Sequence, residues 1–184
     1  MLFFLIFVPV CLIVPYNSAI ITNFLSESSY SGKWDLEAGF AQLLTKELVE
    51  AKHEAPLLKK RTWKEDAVDL VKMYPDSLII SGKITEFSYT SSVMGVSPFK
   101  YRETQATVEI DLEIVKNGEL YTQTCKGEEK KRDLILSILY SDEADTEDME
   151  KGTFGDSVFF STFPGKATKK ALDKCVKEIE KYIN

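Results

Sequence analysis

The sequence predicts an α+β two-layer sandwich, a mostly antiparallel sheet of four to five strands with helices packed on one face. Three observations predict it. An amphipathic helix runs from Trp34 to about Lys52-His53. An antiparallel meander spans Gly82 to Lys126. A second amphipathic helix closes the chain after Pro164-Gly165. Two helices flanking a run of strands bury their apolar stripes against one face of a sheet.

Taken in order, the first segment is a leader. From Leu2 to Val14 every residue is apolar, and Pro15-Tyr16-Asn17-Ser18-Ala19 follows as a breaker and small residues. That run has the length of a signal-peptide hydrophobic region and is too short for a ~30 Å hydrocarbon core. We therefore divide the chain into a leader over residues 1–19 and a single domain over 20–184, and expect export. A buried first strand and a retained anchor are the competing readings. Cys11 follows Val8-Pro9-Val10, which lacks the small residue that a lipid-attachment cysteine needs before it.

Ala19 to Phe24 is a short β-branched run and reads as the first strand, with a turn-rich loop from Ser26 to Gly32. In the first helix Leu36, Phe40, Leu43, Leu44 and Leu48 share one face, while Glu37, Gln42, Lys46 and Glu50 take the other. Ala55 to Lys59 reads as a short strand. Thr62 with Glu65 three residues on is a capping box for a second helix, which Pro75 stops. Ser77 to Phe87 begins apolar and passes into alternation, the mark of a strand central in its sheet. Val108, Ile110, Leu112 and Ile114 alternate with charged residues, and Asn117-Gly118 is a strong hairpin signal. Lys131 to Tyr140 carries Leu134, Ile135, Ile138 and Leu139 at helical spacing, and 141–150 is a solvated acidic loop. In the last helix Ala167, Ala171, Leu172, Cys175, Val176, Ile179 and Ile183 share a face.

Composition and charge narrow the function classes. The 184 residues are 44% hydrophobic and 28% charged, an ordinary globular balance, with a formal net charge of −6. A nucleic-acid binder needs a basic face to release counterions. The clusters Lys59-Lys60-Arg61 and Lys130-Lys131-Arg132 sit beside acidic residues, so nucleic acid is not an expected partner. Hydrolytic chemistry needs a nucleophile, a base and an orienting group. The single histidine, His53, ends a helix, where a basic group suits the dipole. Asp111 and Glu113 lie on the polar face of a strand. Gly152 and Gly155 frame Phe154 without the spacing of a phosphate loop. The expectation is a non-enzymatic protein with no catalytic residue, metal, cofactor or small-molecule substrate. Cys125 and Cys175 leave two readings open, one disulfide or two small buried side chains.

The order of elements also resembles the curli-secretion-channel family of bacterial envelope proteins. The resemblance is carried by Ile20-Ile21-Thr22-Asn23-Phe24, by Leu43 to Val49 in the first helix, by Pro75 to Phe87, and by Phe163-Pro164-Gly165-Lys166-Ala167 before the last helix. Related folds occur in lipoprotein activators of penicillin-binding proteins and in the N-terminal domain of a translocation protein of the Tol system. The resemblance implies a periplasmic or outer-membrane-associated setting and another envelope protein as partner. It also implies a homo-oligomer or peripheral membrane association as alternatives. Channel members carry two membrane-crossing hairpins. Here Ser88 to Glu103 and the charged stretch Glu128 to Lys151 stand in their place, which favours an adaptor or activator over a pore. The interaction candidate is the loop Thr90 to Tyr101, where Val93, Met94, Val96, Phe99 and Tyr101 surround Gly95 and Pro98. A loop folded back over the helix layer is the competing reading.

Overall fold

The computed structural model describes residues 19–51, 53, 57–61, 70–96, 99–136 and 151–183. In chain order these form β1 (Ala19–Asn23), β2 (Leu25–Ser26), α1 (Leu36–Glu50), β3 (Leu57–Arg61), β4 (Leu78–Val96), β5 (Phe99–Lys116), β6 (Glu119–Leu136), α2 (Ser157–Ser161) and α3 (Phe163–Ile183). The sheet order is β3-β1-β4-β5-β6, with β2 added beside β4. β1 runs parallel to β3 and β4, whereas β4, β5 and β6 form the antiparallel meander. The α+β sandwich holds.

Local chemistry explains the elements that the sequence announced. Asp35 caps α1, its carboxylate accepting from the Ala38 N–H at 3.1 Å. Asn117 and Gly118 both adopt positive φ (54° and 81°), the two-residue turn whose twist matches the strands it joins. Thr162 caps α3 by accepting from the Gly165 N–H, and Pro164 sits in the first turn, where its missing N–H costs nothing.

The main core lies between the sheet and α1 with α3. Ile80, Ile84, Val108, Ile110, Leu112 and Ile114 point at Phe40, Leu44, Leu172, Cys175 and Ile179, and all of these are buried. Its upper end is aromatic. Trp34 meets Phe159 edge-on with centroids 5.0 Å apart, and Phe154 lies 5.2 Å from Phe40 and 4.6 Å from Phe159. α3 crosses β6 at Gly127, where a Cβ would stand 1.9 Å from the Ala167 carbonyl oxygen. A smaller cluster, Ile20 and Ile79 with Leu70, Val71, Tyr74 and Val115, occupies the opposite face.

Two expectations are corrected. Residues 131–136 are strand, not helix. The ladder pairs Lys131 with Thr104 and Leu134 with Tyr101, and this cross-strand pairing overrides a spacing that also fits a helix. Thr90 to Tyr101 is not a loop, because β4 continues to Val96 and β5 begins at Phe99, paired to the end. The strand expected over Ala55 to Lys59 is β3. The Thr62 helix falls outside the described residues except for its final turn at 70–73, where Tyr74 N–H donates to Leu70. Residues 1–18 of the leader, residues 137–140 of the expected helix and the acidic stretch 141–150 also lie outside them, while Ala19 begins β1.

Candidate functional site

β4, β5 and β6 are 19, 18 and 18 residues long, far longer than the five-residue β1. The last row of the core is Tyr89–Ala106–Glu129. Above it the three strands run on as a blade. One face of that blade carries, row by row, Thr90–Gln105–Lys130, Ser92–Glu103–Arg132, Met94–Tyr101–Leu134, and finally the Val96–Phe99 pair. Alternation alone produces this sorting, since every second side chain of a strand shares a face.

The end of that face is apolar and exposed. Val96 is 78% exposed, Leu134 70%, Phe99 68% and Met94 40%. Tyr101 is half-buried, with the Arg132 guanidinium 4.7 Å from its ring centroid. Below the apolar rows lies a charged one. Glu103 accepts from Arg132 Nε at 3.0 Å and from Lys130 Nζ at 2.9 Å. These two cations, Lys130 foremost, hold its carboxyl below the usual carboxylate range.

Of the sequence-predicted residues, Met94, Val96, Phe99 and Tyr101 come together on this face. Val93 does not. It pairs with Arg102 on the face that, lower down, meets the helices. The hairpin extends the ladder instead of folding over the helix layer. Leu134 and Arg132 from β6 complete the patch and were not among the predicted residues. The alternation Lys130, Arg132, Leu134 was the available signal, and helical spacing masked it.

Other candidates have structural partners. His53 faces the Glu180 carboxylate at 3.4 Å and ties the end of α1 to α3. Asp111 accepts from Thr124 at 2.7 Å and Glu113 from Ser81 at 3.3 Å, both across the sheet. Phe154 lies against Gly39, packing the 152–155 loop onto α1. Cys125 and Cys175 are free thiols, fully buried and side by side between β6 and α3. Burial, and then the neighbouring Cys125, push the Cys175 thiol well above the ordinary range. Among the described residues no three His, Cys, Asp or Glu side chains are grouped to hold a metal, and no helix is long and apolar enough to cross a membrane.

No protein-family profile matches the chain, and no curated protein sequence does either. Solved structures do resemble it. A hypothetical protein from Chlamydia trachomatis matches with a TM-score of 0.55 at 15% identity, over 90% of this chain and 98% of that one. The two share a fold. Weaker likenesses are to a putative neuraminyllactose-binding hemagglutinin homolog from Helicobacter pylori (TM-score 0.47, 12% identity, 92% of each chain) and to a PelC dodecamer from Paraburkholderia phytofirmans (0.43, 13%, 85% of this chain and 83% of that).

Proposed function

We propose that this protein is a non-enzymatic accessory component of the bacterial cell envelope that binds another envelope protein, as adaptor or activator, through the end of the blade. The observation that carries the reading is the exposure of Met94, Val96, Phe99 and Leu134 together on one face of the three-stranded blade. Exposed apolar groups gathered at one place favour docking, whereas scattered ones need no explanation. The apolar run Leu2 to Val14 supports export, and the resemblance to the curli-secretion-channel family supports an envelope setting.

The test is a double variant, Met94→Ser with Phe99→Ser, used to capture partners from envelope extract with chemical cross-linking. The expected result is loss of the cross-linked partner with an unchanged unfolding temperature. Undiminished cross-linking would remove the blade end from the binding surface. A second reading, a ring-forming subunit, is favoured by one feature. Among the described residues the outer side of β4 carries no strand beyond Ile84 and β6 ends the sheet, so both flanks of the blade could pair with a second copy. Light scattering separates the two: a monomer supports the adaptor, and a discrete large species the ring.

A further inference from the structure

We propose that the outer edge of β6 from Lys130 to Leu134 accepts an added strand, an extended segment of the partner in which acidic residues alternate with apolar ones. This rests on the reading that the partner is a protein and the blade its site.

Hydrogen-bond phase comes first. The two-residue turn at Asn117-Gly118 makes Lys116 and Glu119 a bonded pair. Odd-numbered residues of β6 therefore turn their N–H and C=O toward β5, and even-numbered ones turn them outward. Two side chains agree with this phase. Lys174 Nζ donates to the Lys126 carbonyl oxygen at 2.6 Å, and Lys170 Nζ donates to that of Glu128 at 2.8 Å. Lysines from α3 thus occupy the lower half of the edge, a recognised way of blunting a terminal strand. The next outward-facing residues are Lys130, Arg132 and Leu134. Among the described residues no side chain is bonded to their backbone, and residues 130–134 are all exposed. One strand thus carries a closed half and an open half.

The chemistry around the open half selects the occupant. Rows 99–103 and 130–134 contain five cations, Lys100, Arg102, Lys130, Lys131 and Arg132, against the carboxylates of Glu103 and Asp133. Among the described residues these rows are therefore basic, in a chain of net charge −6. They repel basic strands and attract acidic ones. Even-numbered side chains of β6 share a face with Phe99 and Tyr101, so the apolar residues of an incoming strand would widen the Met94–Tyr101–Leu134 row by one column.

The experiment is residue-resolved amide exchange on the full chain with a synthetic probe, a capped heptapeptide of alternating Asp and Val, and its Lys and Val counterpart as control. With the acidic probe the amides of Lys130, Arg132 and Leu134 should slow by about tenfold at saturating peptide, while those of Lys131 and Asp133, already bonded to β5, stay unchanged. The basic probe should do nothing. Leu134→Pro removes an outward N–H without touching the ladder, so it should abolish the slowing while circular dichroism stays native. Should that variant misfold, Lys131→Glu with Arg132→Glu takes its place and should shift the slowing from the acidic to the basic probe. No slowing at millimolar acidic peptide, equal slowing by both probes, or slowing that survives a folded Leu134→Pro overturns the proposal. Failure here is separable from failure of the docking reading. If Met94→Ser with Phe99→Ser loses the cross-linked partner but Leu134→Pro keeps it, docking stands and strand addition falls.

Discussion

The same three strands live in two physical regimes. Below the Tyr89–Ala106–Glu129 row one face of β4, β5 and β6 is sealed by α1 and α3, and Val108, Ile110, Leu112 and Ile114 are essentially inaccessible. Above it, among the described residues, no buried apolar cluster forms. The blade is held by its ladder and by cross-strand pairs, Glu103 with Lys130 and Arg132, Ser91 with Thr104, Arg132 over Tyr101. Such surface pairs, screened by solvent, contribute far less than a fully buried aliphatic side chain, worth about 1.5–3 kcal/mol. The difference teaches that the lower half supplies the stability and the upper half is left free to present a surface.

Substitutions can break that comparison. The largest effect should come from Ile110→Ala in the sealed half, about 3 kcal/mol from lost burial and the cavity left behind, read from urea unfolding. The matching change on the blade, Phe99→Ala, should stay within about 0.5 kcal/mol of wild type. If the two cost the same, the division into regimes is wrong. Next comes Gly127→Ala. Its Cβ would press on the Ala167 carbonyl and push α3 off β6, for about 1–3 kcal/mol and a loss of near-ultraviolet signal.

Two pH effects sharpen the contrast. The Glu103 carboxyl is held below its ordinary value of 4.5, so the stability it lends is present above that value and is lost as pH falls through the folded one. Amide exchange at acid pH should therefore accelerate on the blade before it does in the core. The Cys175 thiol is raised above 9.0 by burial, so its contribution is full below that pH and disappears as pH rises toward the folded value. The urea midpoint should drop in strong alkali, and native protein should resist alkylation at both cysteines. Ready alkylation of folded protein would contradict their burial.

The sequence was legible where burial writes a period. Leu36 to Leu48, Val108 to Ile114 and Ala167 to Ile179 each repeat at the spacing of the element they form, because each packs against a partner layer. The turn at Asn117-Gly118 was legible because positive φ selects those residues. The blade was not, for the same physical reason. Ser88, Ser91, Ser92 and Gly95 break the apolar alternation, and among the described residues no helix covers the blade there, so a paired strand resembled a loop. Leu134 and Ile135 fit helical spacing equally well, and only the register with Tyr101 decides against it. The approach of α3 at Gly127 and the seat of Phe154 on Gly39 join residues distant in sequence and leave no local mark. Four of the five predicted contact residues fell on one face, and Val93 faced the other way because alternation within a strand was not assumed there.

The most direct test of the central claim compares the two ends of the molecule in living cells. A photo-reactive phenylalanine analogue replaces Phe99 at the blade end or Leu120, which is 45% exposed beside the Asn117-Gly118 turn. Irradiation should give a discrete cross-linked adduct from position 99 and none from position 120. Equal adducts from both positions, or none from position 99, would contradict the assignment of the blade as the binding surface.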